Sequence, residues 1–301
     1  MDMTFLPGKL TGQIVAPPSK SEAHRRMICA GLSRGETEIT RFMASEDTRA
    51  TAKCLEALGA QVSQTDDVLR VQGFTQKPEM FPVFDCGESG STLRFFVPLA
   101  LTLCHGGIFR MHGHLAKRPM EVYKELFVPR GVNWHMNEGA DGAAELMVSG
   151  NIRSGEYILP GNVSSQFVSG LLFALPLMEG DSTLTVQTPV ESAGYIRMTI
   201  AAIKESGVRI EEIGPYAWRI PGRQVYRAKD GNLQGDWSQA AVLLCADALG
   251  SEVTIGGLST QSLQGDAAIV ECLERMGCSL YKSDAGIRMA QLQASRAGVS
   301  E

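Results

Sequence analysis

Apolar positions in this chain gather into dense helical runs, each preceded by a short polar stretch. "FVSGLLFALPLM" (167–178) and "QAAVLLCADAL" (239–249) are apolar almost all round, the pattern of a helix buried on every side. Ahead of them stand "GNVSSQF" and "QGDWSQAA", and two further polar stretches, "PPSKSEAHR" and "CGESGSTLR", precede helices of the same kind. Between the helices lie short β-branched segments that read as strands. One of these, "GQIVA" (12–16), is stopped by Pro17 and Pro18. Proline offers no N–H to a ladder and pushes the residue before it out of the helical region. Ser19 followed by Glu22 has capping-box spacing, so "EAHRRMICAGL" reads as the next helix.

One order of elements recurs four times, over 32–62, 101–134, 175–210 and 245–280. Each stretch reads as a helix end, a glycine turn, a β-branched strand, a loop, an amphipathic helix, a glycine stop and another strand. The closing glycines are Gly59, Gly131, Gly207 and Gly277. A period of about seventy residues is longer than solenoid repeats allow, so each is a complete βαβαββ unit. The expected fold class is α/β, and 301 residues predict two domains.

The repeat bears on "PPSKSEAHR", which crowds Ser19, Lys20, Ser21, His24 and Arg25 into one helix start. The exposed amides of a first helical turn, with Lys20 and Arg25, suit an anion. Small residues at the matching helix starts would let ligand atoms approach the backbone. Two readings stand at this point. The repeats share one capping solution with solvated charges, or several positive helix ends face a single cleft.

Bulk properties narrow the class. A net charge of −5 argues against a nucleic-acid partner. No apolar run approaches the length needed to span a bilayer, and "MDMTFLPGKL" lacks the features of a signal peptide. Seven scattered cysteines (29, 54, 86, 104, 245, 272, 278) read as reduced thiols in a cytoplasmic protein. No cluster has metal-ligand spacing, and no cofactor is expected.

"PPSKSEAHRR", "GESGSTLR", "KRPM", "NVSSQFVSGLL", "ESAGYIRMT", "GDWSQAA" and "SLQGD" together resemble the EPSP synthase (3-phosphoshikimate 1-carboxyvinyltransferase) family, in order and spacing along essentially the whole chain. The sister family, UDP-N-acetylglucosamine enolpyruvyl transferase, shares the repeats and is the alternative, although the "PSKSxxHR" start belongs to the shikimate branch. The resemblance implies an inside-out α/β barrel of βαβαββ repeats in two domains, helices inside and strands outside. Residues 15–232 would form a complete three-repeat domain. Residues 1–14 and 233–301 would form a partial second domain that lacks its later repeats.

The implied reaction moves the enolpyruvyl group of phosphoenolpyruvate to the 5-hydroxyl of shikimate 3-phosphate, releasing phosphate on the route to chorismate and the aromatic amino acids. Ser21, Arg25, Ser164, Ser165, Gln166, Ser192 and Tyr195 would hold shikimate 3-phosphate. Lys20, shared by both ligands, would be the catalytic residue of this part, and Gly90, Arg118 and Gln166 would join it at phosphoenolpyruvate. The family's catalytic aspartate and glutamate fall outside these 301 residues. The chain alone is therefore expected to bind shikimate 3-phosphate with little or no turnover, or to be a binding fragment only. The complete protein is expected to be a monomer with small-molecule partners. Gly90 leaves room for glyphosate, an inhibitor of this family. His24 reads as a surface or packing histidine, and Arg94 as an ion-pair residue outside the site. Asp236 and Trp237 read as hinge-shaping residues. Glu88, at a position where relatives carry asparagine, must be turned away or paired.

Overall fold

The computed structural model of the chain describes residues 8–76, 81–139 and 142–291. The expected second domain, residues 1–14 and 233–301, lies outside them before residue 8 and from residue 292.

Strand β1 (Thr11–Val15) leads into α1 (Lys20–Leu32), β2 (Glu36–Thr40), α2 (Glu46–Ala57) and the hairpin β3–β4 (Gln61–Thr65, Val68–Gln72). The order recurs as β5 (Val83–Asp85), α3 (Gly90–Leu103), β6 (Gly106–Met111), α4 (Glu121–Phe127) and β7–β8 (Asn133–Glu138, Ala144–Ser149). It recurs again as β9 (Glu156–Pro160), α5 (Ser165–Ala174), β10 (Ser182–Gln187), α6 (Ala193–Glu205) and β11–β12 (Glu211–Gly214, Ala217–Ile220). After β13 (Gly231–Asn232), the fourth round is α7 (Trp237–Ala248), β14 (Glu252–Gly256), α8 (Ile269–Arg275) and β15–β16 (Cys278–Ser283, Gly286–Gln291).

Each round builds one four-stranded sheet, such as β5-β6-β8-β7. The first two strands are parallel, across a helical crossover, and the last two form an antiparallel hairpin. The four closing glycines sit where the second helix turns into that hairpin. Their φ angles are 93°, 86°, 79° and 89° for Gly59, Gly131, Gly207 and Gly277. A side chain is disfavoured in that left-handed region, so glycine ends the helix there.

In two rounds the first strand comes from far away in sequence. β1 does not join the sheet of the repeat it precedes. It pairs in parallel with β14, Thr11 opposite Glu252 and Val15 opposite Gly256. The place beside β2 is taken by β13, with Gly231 opposite Ile39. The chain accordingly divides into two compact units, Lys20–Leu233 and Met1–Ser19 with Gln234–Glu301.

Within Lys20–Leu233 the first helices of the repeats are the core. α3 buries twelve of its fourteen residues, and Phe95 on it meets Phe173 of α5 edge-on at 5.5 Å. Tyr123 of α4 stands edge-on to Phe167 at 4.8 Å, and its hydroxyl donates to the Arg94 and Phe167 carbonyls. The sheets bury alternate residues only, as β10 and β4 show, which is a single-sided covering over the helices. In the other unit, Trp237 is fully buried, and its Nε1 donates to the Ser259 carbonyl. Asp236, the cap of α7, accepts from the Ser238 and Gln239 amides. A recorded capping box lies at Ser45–Thr48, ahead of α2, while the Glu22 carboxylate accepts from Arg26 Nε at 2.8 Å.

Candidate functional site

α1 carries two polar faces one turn apart. On one, the Arg25 guanidinium is only 4% exposed. Its Nε donates to Thr199 Oγ1 at 2.8 Å, Nη1 to the Ser21 carbonyl at 2.7 Å and Nη2 to the Tyr195 carbonyl at 3.1 Å. The ring of Tyr195 lies 5.6 Å from the guanidinium carbon. All three acceptors are neutral, and no carboxylate pairs with Arg25 among the described residues. Burial lowers its pKa from 12.5 to about 10, so it keeps its charge at neutral pH. A buried cation with only neutral partners is costly unless an anion meets it.

The other face of α1 carries Lys20, whose Nζ reaches Asp47 Oδ2 at 2.6 Å. Asp47 stands in the first turn of α2 and was not singled out in the sequence. Its position inside a capped helix start, after "MASE", was the available signal.

The start of α3 gathers a second set of cations. A Cβ built on Gly90 would lie 2.7 Å from Arg118 Nη1 and 3.0 Å from Arg94 Nη1. Two guanidinium groups thus close on one bare helix start, capped by Ser89. Burial, then the Arg118 charge, holds the Arg94 guanidinium below its ordinary pKa. Sequence reading placed Arg94 in an ion pair outside this site. Among the described residues it has no carboxylate partner. It donates to Gln166 Oε1 at 2.6 Å and to the Pro119 carbonyl at 3.0 Å. Gln166 Nε2 in turn donates to Ser91 Oγ at 2.8 Å, which bridges the starts of α3 and α5.

Ser164 caps α5, its hydroxyl accepting from the Gln166 amide at 3.3 Å. Ser165 is buried just inside the same helix. Ser192 is exposed at the start of α6, in the left-handed region at φ 56°. Glu88 is turned onto the next turn, its Oε2 accepting from the His114 amide at 3.5 Å. The structure therefore brings together Arg25 with Ser21 and Tyr195, Gly90 with Arg118, Gln166 with Arg94, and Lys20 with Asp47. His24 is not a surface residue but lies 2% exposed between α1 and α2.

Helix starts that present amides, hydroxyls and buried guanidinium groups, on a βαβαββ repeat, make an α/β protein whose helix starts are chemically suited to anions. Comparison with known proteins makes that specific. The sequence profile of EPSP synthase (3-phosphoshikimate 1-carboxyvinyltransferase) matches residues 6–299. A protein named 3-phosphoshikimate 1-carboxyvinyltransferase from Clostridium beijerinckii is 40% identical over 294 residues, which cover 95% of this chain and 67% of that protein. Its namesake from Clostridium botulinum (strain Alaska E43) is 41% identical over 297 residues, 96% of this chain and 68% of the relative. The chain belongs to the EPSP synthase family, a family of transferases, and spans about two thirds of the length of these relatives. A solved EPSP synthase from Acinetobacter baumannii superposes with a TM-score of 0.75 at 22% identity, over 92% of this chain and 62% of that one, so the fold is the α/β architecture of that enzyme.

No described helix is long and apolar enough to cross a membrane. Among the described residues no group of three His, Cys, Asp or Glu could hold a metal ion.

Proposed function

We propose that this chain is the shikimate 3-phosphate-binding part of a 3-phosphoshikimate 1-carboxyvinyltransferase. The observation that carries the reading is the buried Arg25 guanidinium, held by neutral oxygens beside Ser21 and Tyr195. A phosphorylated cyclohexene carboxylate supplies the missing negative charge, and charge-assisted hydrogen bonds in a buried site are the strong ones. In this reading Ser164, Ser165 and Ser192 add donors for the 3-phosphate, and Gln166 lies against the ring. Phosphoenolpyruvate is held over Gly90 by Arg118, with Lys20 between the two ligands. Arg94 orients the Gln166 amide by occupying its oxygen.

Enolpyruvyl transfer requires protons to move onto the methylene carbon and off the attacking hydroxyl. In this reading Lys20, which pairs closely with Asp47, is the group of this chain that serves both substrates. The family's remaining acid–base carboxylates are assigned by resemblance to segments outside these residues. Residues 1–301 alone are accordingly expected to bind shikimate 3-phosphate and to turn over far more slowly than the family does.

Calorimetric titration of the chain with shikimate 3-phosphate tests this, with a saturable one-site isotherm expected. Absence of binding by folded protein would defeat the reading. Phosphate release from both substrates by a chain extended to the relatives' length tests the transferase activity. Turnover by residues 1–301 at a normal rate for the family would contradict the division of roles.

A further inference from the structure

His24, in the "SKSEAHR" helix start, has no part in the proposed function. Its Nδ1 lies 2.7 Å from Thr51 Oγ1 on α2, and Thr51 Oγ1 lies 2.8 Å from Thr92 Oγ1 on α3. Thr92 Oγ1 in turn donates to Ser89 Oγ at 2.7 Å, with the Asp47 carbonyl as its other acceptor at 3.4 Å. All four side chains are buried, none more than 2% exposed.

Counting protons orients the whole series. The single Thr92 hydroxyl proton is spent on Ser89 or on the Asp47 carbonyl. Thr92 Oγ1 must then accept from Thr51, and Thr51 Oγ1 must accept from the ring N–H of His24. The imidazole is thereby fixed as the Nδ1–H tautomer. Its Nε2 is buried without a partner, and a proton there would be an unsatisfied donor in the core.

We infer that His24 is a positioning residue of the anion site: its Nδ1–H anchors a one-way hydrogen-bond relay through Thr51 and Thr92 that sets the starts of α2 and α3. The relay ends on Ser89, the cap next to Gly90, and touches the backbone of Asp47, the partner of Lys20. The start of α3 and the turn of α2 that carries Asp47 therefore both depend on one buried ring on α1. A directional chain of buried hydrogen bonds specifies one arrangement where an apolar contact permits several. The role in ligand binding rests on the proposed function, while the tautomer does not.

The test uses the ¹⁵N-labelled chain of residues 1–301. Long-range ¹H–¹⁵N correlation of the histidine rings, with His24 identified by its loss in His24→Leu, should show Nδ1 protonated and Nε2 bare. No titration is expected between about pH 5 and pH 8. Thr51→Val removes the acceptor and should abolish that signature. Calorimetry then follows shikimate 3-phosphate and phosphoenolpyruvate binding. His24→Leu should weaken phosphoenolpyruvate binding by about tenfold, the size of one lost hydrogen bond. His24→Asn, which keeps a short N–H donor, should recover most of it.

An Nε2–H or charged ring in the wild type overturns the relay. Wild-type affinities in folded His24→Leu and Thr51→Val overturn the positioning role. A wild-type chain that binds neither anion removes the proposed function and this role together, and the ring signature from the same sample still reports on the relay.

Discussion

The two units of this chain use one repeat in opposite ways. In Lys20–Leu233, three repeats bury their first helices against one another, and α3 exposes almost nothing. In the other unit a single repeat presents α7, whose sequence is just as apolar, with Val242 70% and the following Leu249 84% exposed. The helix start is equally well made in both, since Asp236 caps α7 as Ser164 caps α5. What differs is the supply of packing partners, and with it the residues that become a site. Buried guanidinium groups occur where helices from different repeats meet, at Arg25 and Arg94. A buried charge of the smaller unit, Asp247, is neutralised within its own repeat by Arg288 at 3.2 Å.

The largest effect that would break the comparison is Trp237→Ala. Truncating this fully buried ring should cost the smaller unit about 3–5 kcal/mol, read as lost hydrogen-exchange protection over 234–291. Shikimate 3-phosphate affinity should survive, and its loss would show that binding is not confined to the three-repeat unit. Next comes Arg25→Met, which removes the buried charge and should lower shikimate 3-phosphate affinity by about 100-fold in calorimetry. Gly90→Ala is smaller. The added methyl must displace the ends of Arg118 and Arg94, and phosphoenolpyruvate affinity should fall by about tenfold without loss of melting temperature.

Acid sensitivity sharpens the contrast further. Burial outweighs the attraction of Asp47 and lowers the His24 pKa from 6.5 to about 3, with Arg25 and Lys20 adding to the shift. Between those values the unfolded chain binds the proton that the folded chain refuses, so His24 makes stability fall as pH drops from 6.5 toward 3. His24→Leu should flatten that part of the pH–stability curve measured by denaturant melts. The mildest change is on α7. Val242→Glu with Leu249→Glu should reduce light scattering of concentrated protein, with little change in the melting of Lys20–Leu233.

Much of this was legible in the sequence because it depends on local chemistry. The glycine stops at 59, 131, 207 and 277 need φ above zero wherever they lie, and the serine-rich helix starts cap their own helices. Arg94 and Asp47 were misread or passed over for the opposite reason. A guanidinium four residues into a helix looks alike whether it meets a carboxylate or the Gln166 amide 72 residues away. His24 was undecidable for the same cause, since its burial depends on Thr51 and Thr92 arriving from two other helices.

By itself the sequence determined the repeat, its α/β class and the family, since periodicity, turn residues and short motifs act over a few residues. The resemblance already grouped residues 1–14 with 233–301, but tertiary structure decided that β1 pairs with β14 and β13 with β2, because a parallel pair carries no local signal of its partner. It also decided which cations lost their solvent and kept only neutral hydrogen-bond acceptors, since desolvation belongs to the packed assembly of helices and not to any one of them.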